Sequence, residues 1–234
     1  MILSGKSDFI FGLSQRLELP AALNYTRLIF TESPLVEDIS WTLGPYVQNR
    51  LRRNIRFQKK LSVTCFSRFI NVCPFTEGTS EETECTPTFD IDTYDEPDLD
   101  AFLDFMAFVP CEHVVLLNME HSMGMRNELF IVMSNIERLC LRYVSLTDGF
   151  LQPDQTGPHA NAKLLPSLRY LDLKDVTADT GWRPLVDYLV HQTSNRQAIS
   201  LRLEVRRGRV PPEVLKEIED LVEKVDIESW DDDD

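Results

Sequence analysis

The chain has 234 residues, of which 43% are hydrophobic and 26% are charged, an ordinary globular composition that is sufficient for a well-buried core. Its formal net charge of −14 argues against general binding to nucleic acid or to an acidic membrane surface. The first residues show no signal-peptide pattern, and no apolar run approaches the roughly 18 residues that a membrane-spanning helix needs.

The cysteines indicate a reducing compartment. Their number is odd, and no two of them form a C-x-x-C pair. We expect them to be reduced thiols in a cytoplasmic or nuclear protein, without a disulfide framework.

Predicted strands and helices alternate along most of the chain. The first inward-facing residue of each predicted strand is, in order, Leu28, Leu61, Phe89, Val115, Leu139, Leu171 and Leu201. Helical patterns begin at Ser33-Pro34, Asp98, Arg126, Asp179 or Thr180, and Pro211-Pro212. A weak alternation at 8–13 suggests one more strand, and residues 68–75 are compatible with either a helix or an extended piece.

The predicted strands recur at similar intervals, most of them in or slightly above the range of leucine-rich repeats, and two strands share a motif. Residues 168–176 follow the pattern L-x-x-L-x-L-x-x-V, and residues 136–144 repeat it with Ile at the first place. This is the core of a leucine-rich repeat, with Val where Asn or Cys is usual. The predicted fold is therefore α/β: an irregular leucine-rich-repeat solenoid, or horseshoe. Parallel strands would lie on its concave side and helices on its convex side, over residues 1–225, and residues 226–234 would be an acidic disordered tail.

Alternation along the strands predicts which side chains face a partner. If the leucines point into the core, the concave face carries Asp90, Asp92, Arg142, Asp172, Lys174, Arg202 and Glu204. We expect the last four of these to neutralise one another across strands. Arg142 has fewer acidic neighbours, so it is the first candidate for a contact residue, and Arg142→Glu should leave folding intact.

Other patterns are compatible with more specific chemistry. The basic stretch 50–60 could bind phosphate or direct nuclear import, but a solvated connection is favoured because no aromatic residues interleave with the charges. Asp90, Asp92 and Asp95 lack the Gly and Glu of a calcium loop. Cys111, His113 and His121 fit no zinc-finger spacing. A nucleophilic pair of Cys111 or Cys140 with a His has no supporting local signature, and no nucleotide motif is present. On these grounds together we expect no catalytic residue, metal site or cofactor.

The C-terminal half resembles the leucine-rich-repeat part of mushroom-type fungal F-box proteins. The segments that carry this resemblance are 108–112, 149–154, 157–161, 164–168, 184–193, 212–214 and 217–223. It implies a substrate-receptor role in a ubiquitin ligase of the SCF type, in which an F-box docks on the adaptor Skp1. Here Leu19-Pro20 is followed almost directly by the strand at Leu28, which leaves no room for an F-box.

We therefore expect a non-catalytic protein-binding module that does not bind Skp1, either a C-terminal piece of a longer protein or a paralogue that has lost the F-box. One alternative is a truncated or vestigial repeat fragment without a partner of its own. The other is an enzyme that uses the long loop 147–164 as a lid.

Overall fold

The fold is α/β, and most of its strand pairings are parallel. A computed structural model describes residues 2–5, 26–30, 60–66, 69–74, 89–92, 109, 111–120, 130, 133–146, 150–151, 164–178, 181–193, 199–206 and 209–230. The chain divides into two compact units, Met1–Leu117 and Asn118–Asp234. Five of the seven pairings with a described register are parallel.

The described elements are ten strands, a 3-10 turn and two helices. The strands are β1 (Ile2–Gly5), β2 (Thr26–Phe30), β3 (Leu61–Phe66), β4 (Phe69–Pro74), β5 (Phe89–Asp92), β6 (Val114–Glu120), β7 (Arg138–Arg142), β8 (Tyr170–Val176), β9 (Ser200–Arg206) and β10 (Lys224–Trp230). The helices are α1 (Arg183–Thr193) and α2 (Pro212–Leu221), and the 3-10 turn is Cys111–His113.

The first unit corrects the prediction of strands stacked in chain order. Its order is β1-β2-β5-β4-β3, so β5 lies between β2 and β4. β3 and β4 are antiparallel, as are β4 and β5, whereas β2 pairs in parallel with β1 and β5. The connection from Phe66 at the end of β3 to Phe69 at the start of β4 is too short for a crossover, so it can join antiparallel strands only. The described part of the undecided segment 68–75, Phe69–Pro74, is therefore a strand.

The second unit stacks its strands in chain order and in parallel, as the repeat pattern predicts. β7, β8, β9 and β10 follow one another, and their core positions are in register: Leu139, Leu171, Leu201 and Val225 form one row, and Leu141, Leu173, Leu203 and Ile227 form the next. The six leucines are at most 2% exposed. α1 is the crossover from β8 to β9, and α2 is the crossover from β9 to β10, because parallel neighbours cannot be joined by a hairpin.

The two copies of the motif in this unit share the same backbone features at equivalent positions. Before each strand, an amide closes a short turn: Ile136 donates to Met133 O at 3.3 Å, and Leu168 donates to Leu165 O at 3.1 Å. After each strand core, one residue has a positive φ, 55° at Tyr143 and 52° at Asp175.

The positive-φ residues explain the spacing of the motif. In β8, Leu171 and Leu173 are buried on one face, and the next buried residue is Val176 rather than residue 175. The β8–β9 register shifts between Leu173 and Val176, so β8 carries one extra residue there. A bulge of this kind changes the phase of alternation. The last x-x of the motif is therefore the place where the chain turns through the left-handed region.

The end of the second unit differs from the predicted disordered tail. Residues 226–230 belong to β10, which pairs with β9 along its whole length. Val225 and Ile227 alternate with Asp226 and Glu228, and such alternation is typical of a half-buried strand. The aspartates at 231–234 lie outside the described residues.

Several predictions fall on parts of the chain that are not described. They are the weak strand at 8–13, the helices after Ser33 and Asp98, most of the basic stretch 50–60, and most of the loop 147–164. Of the cysteines with described side chains, Cys73 and Cys140 are buried and belong to no disulfide.

Candidate functional site

The second unit carries a face of polar side chains opposite its leucine rows. Strand register aligns them in rows across β7 to β10. We call this surface the polar face and define it by Arg138, Arg142, Tyr170, Asp172, Lys174, Arg202, Glu204, Lys224, Asp226 and Glu228. Four parallel strands in register thus hold the predicted residues of this unit in fixed positions.

The centre of the polar face is recessed. Asp172 is only 9% exposed, and Cys140 beside it on β7 is 2% exposed. The Cys140 thiol lies 3.7 Å from Asp172 Oδ2, and Lys174 Nζ lies 3.6 Å from the same oxygen. Asp172 therefore acts mainly as an internal partner for its neighbours, and it presents little surface to another protein.

Arg202 lies on the more exposed side of the polar face. Its guanidinium donates to Glu228 Oε1 at 3.2 Å, and the two side chains are 43% and 57% exposed. Partial burial lowers the pKa of Arg202, but the carboxylates of Asp172, Glu228 and Asp226 outweigh this effect and raise that pKa above its usual value. Arg202 thus stays charged and lies among acidic side chains, and its ion pair is with Glu228, which is outside the group Asp172, Lys174, Arg202 and Glu204 that was expected to neutralise itself.

Arg142 differs from the sequence-based expectation. It is half-buried, and its Nε atom is shielded from solvent. The premise that Arg142→Glu is an exposed substitution is therefore wrong, and the variant would place a carboxylate in a partly desolvated position at a cost to stability. Arg202 is the better residue for testing the polar face.

The remaining predicted residues are held by strand pairing. Glu204 lies on β9 beside Glu228 on β10, and it is half-buried. Asp90 and Asp92 belong to β5 in the first unit, where Asp90 pairs with Arg27 and Asn71, and Asp92 pairs with Ile29 and Phe69.

Sequence reasoning missed an aromatic contact on the polar face. Arg138 and Tyr170 are adjacent in the β7–β8 register, and the Arg138 guanidinium carbon lies 4.9 Å from the centre of the Tyr170 ring. Tyr170 is 48% exposed although it is a large aromatic residue. Tyrosine and arginine are enriched among residues that dominate binding energies. The signal was present in the sequence, because both residues lie two positions before Cys140 and Asp172 and thus share their face.

A buried hydrogen-bond network fixes α1 to the segment that precedes β8. Gln192 Nε2 donates to the carbonyl of Leu164 at 2.8 Å and lies 3.2 Å from the Tyr188 hydroxyl. Burial raises the pKa of Tyr188 well above its usual value, although the hydrogen bond with Gln192 opposes this. The Phe150 ring meets the Tyr188 ring edge to face at 6.3 Å. This network joins two of the segments on which the family resemblance was based.

No group of three or more His, Cys, Asp or Glu side chains that could hold a metal ion occurs within the described parts of the chain. Nor does that portion contain a helix long and apolar enough to cross a membrane. No protein-family model, curated protein or solved structure matches the chain.

Proposed function

We propose that the chain is a non-catalytic protein-binding module that recognises its partner through the polar face of β7 to β10. The observation that carries this proposal is the in-register polar face, with an exposed tyrosine stacked under an arginine and a charged pair beside them. Four parallel strands hold these side chains at fixed spacing, so little conformational entropy remains to be lost on binding.

The proposal includes a specific architecture for the second unit, a leucine-rich-repeat solenoid. The turn before the strand, the leucine pair within it and the left-handed residue after it occur at equivalent positions around β7 and β8, which supports a leucine-rich-repeat solenoid in the second unit. In such a solenoid the polar face is the concave surface and the crossover helices form the convex side. Solenoids of this kind use extended concave surfaces to bind proteins.

The resemblance to F-box proteins suggests a more specific role. We propose that this module corresponds to the substrate-recognition part of an F-box ubiquitin-ligase adaptor, acting in the cytoplasm or nucleus, and that it does not itself dock on Skp1. A vestigial fragment without a partner is the competing proposal. It differs in predicting that no protein depends on the polar face for binding.

Affinity capture with matched charge variants tests the proposal. The wild-type chain, Arg202→Glu and Lys216→Glu serve as baits in a fungal extract. Both substitutions change the charge by the same amount, but Lys216 is exposed on the crossover helix α2 and belongs to none of the strands of the polar face. We expect a partner that is retained by Lys216→Glu and lost with Arg202→Glu.

Tyr170→Ala provides a second, uncharged variant. Truncating an exposed aromatic anchor at the centre of an interface costs about 2 kcal/mol or more of binding free energy, or at least a roughly 30-fold loss of affinity. A partner that binds all the folded variants equally well would remove the polar face from consideration.

A further inference from the structure

β10 has one backbone edge that no described strand occupies. Its pairing with β9 is parallel and extends from Lys224 to Trp230. The amide of Glu223, just before the strand, donates to the carbonyl of Ile199 at 2.9 Å. In a parallel ladder, backbone groups point to alternate sides along the chain. The amide of Ser200 donates to the carbonyl of Arg169 on the β8 side, and Ser200 is in register with Lys224, so the backbone groups of Lys224, Asp226 and Glu228 face β9. The N–H and C=O groups of Val225 and Ile227 therefore point away from β9.

The apolar rows of the second unit are also incomplete at β10. Leu171, Leu173, Leu201 and Leu203 are at most 2% exposed, whereas Val225 and Ile227 at the same row positions on β10 are more accessible to solvent. In α2, only Ile218 is fully buried. A repeat that lacks a neighbour leaves apolar surface uncovered unless another element caps it.

In one row of the polar face the charge changes sign from strand to strand, whereas in the next row Glu204 and Glu228 lie side by side, and both rows end on acid at β10. One row runs from Asp172 through Arg202 to Asp226. On β10, Asp226 and Glu228 follow each other on the same face, and the sequence continues with four aspartates. Opposite charges on adjacent strands stabilise a pairing, and like charges destabilise it. The next strand in this series should therefore be basic on this face.

We propose that β10 is a docking edge for an extended segment of a partner protein in which aliphatic and basic residues alternate. The segment adds to the sheet as a further strand: its backbone pairs with the free backbone groups of Val225 and Ile227, its aliphatic side chains continue the rows of those two residues, and its Lys or Arg residues face the carboxylates of Asp226 and Glu228. A second copy of this chain fits poorly, because pairing two β10 strands would bring acidic side chains together. The edge shares Asp226 and Glu228 with the polar face, but strand addition also needs the free backbone groups of β10, and its test does not depend on the function proposed for that face.

A synthetic peptide provides the probe. Acetyl-Thr-Ile-Lys-Val-Arg-Ile-Thr-amide, labelled with a fluorophore, is titrated with the wild-type chain, and binding is followed by fluorescence anisotropy. We expect saturable binding, and about a tenfold weaker affinity with Asp226→Lys, because attraction across the strands becomes repulsion. Asp220→Lys on the exposed side of α2 makes the same change in net charge. It should alter the affinity by less than about twofold.

Two further measurements separate strand addition from simple charge attraction. The peptide with Glu in place of Lys and Arg should bind Asp226→Lys more tightly than the wild-type chain. N-methylation of alternate peptide amides should abolish binding, because strand addition needs the backbone donors whereas charge attraction does not. This last comparison uses the unmodified chain, so it does not depend on the folding of a variant.

Equal weakening by Asp220→Lys and Asp226→Lys would overturn the proposal, as would undiminished binding of the N-methylated peptide or no saturable binding at all. A stable dimer of the chain that Asp226→Lys strengthens would assign the edge to a second copy instead.

Discussion

Replacing Gln192 by Leu tests whether the buried network holds α1 against the segment before β8. The wild-type side chain donates to Leu164 O and bonds with the Tyr188 hydroxyl, and it is only 3% exposed. A buried hydrogen bond contributes about 0.5–1.5 kcal/mol, and a buried polar group left without its partner costs about 1–3 kcal/mol. Because Leu is similar in size but can neither donate nor accept, we expect Gln192→Leu to lower the free energy of unfolding by about 2–4 kcal/mol.

Tyr188→Phe isolates the second contact of the network. It removes the hydroxyl together with its need for a partner and leaves the Gln192–Leu164 bond in place, so it should cost about 0.5–1.5 kcal/mol. In the double variant, the introduced leucine no longer faces a buried hydroxyl. The combined cost should therefore fall short of the sum of the single costs by roughly 1 kcal/mol.

Urea unfolding supplies the measurement. Circular dichroism follows the backbone, and tryptophan fluorescence follows the three tryptophans, among them Trp182, which directly precedes α1. The free energies of the single and double variants then give the coupling. A Gln192→Leu protein within about 0.5 kcal/mol of wild type, or single-variant costs that are strictly additive, would refute the role given to this network.

Four shorter predictions concern the core, alkaline stability, the acidic end and the adaptor. Leu171→Ala should lower the unfolding free energy by about 2–5 kcal/mol, because Leu171 is 1% exposed between Leu139 and Leu201, and an unchanged urea midpoint would show that the strand phase is wrong. Burial raises the pKa of Tyr188 in the folded state. The contribution of the protonated Tyr188 hydroxyl to stability is therefore fully present below about pH 10 and is lost as the pH rises further. The loss of unfolding free energy between about pH 8 and about pH 11 should be smaller in Tyr188→Phe than in wild type. Deleting residues 231–234 should shift the melting temperature by less than about 2 °C, since the four aspartates repel one another, and a large drop in a calorimetric scan would show that they are anchored. The purified chain should not co-elute with Skp1 on size exclusion, and a complex of micromolar affinity would contradict the expectation that these 234 residues contain no F-box.

The second unit was the more predictable part of the fold. Leu139, Leu141, Leu171 and Leu173 mark their strands by alternation, and the recurrence of one motif around both pairs predicted parallel neighbours in chain order. The first unit was less predictable, because pairing there is decided by which strands complete one another across the sheet. Periodicity within β5 carries no information that it pairs with β2 and β4.

The polar face was likewise predictable only in part. Alternation placed Asp172, Lys174, Arg202 and Glu204 on one side of the strands. It could not distinguish the recessed Asp172 from the exposed Arg202, since burial depends on what neighbouring strands and their side chains cover.

The sequence by itself determined the α/β class, the leucine rows of the second unit and the sign of its charges, because these follow from local periodicity and from the residue types present. Only the tertiary structure decided the strand order of the first unit, the extension of β10 to Trp230, the stacking of Arg138 on Tyr170 and the bonding of Gln192 to Leu164. Each of these depends on residues that are distant in sequence or on pairing with another strand, and such long-range choices are made by the free energy of the whole packed unit rather than by any short stretch of the chain.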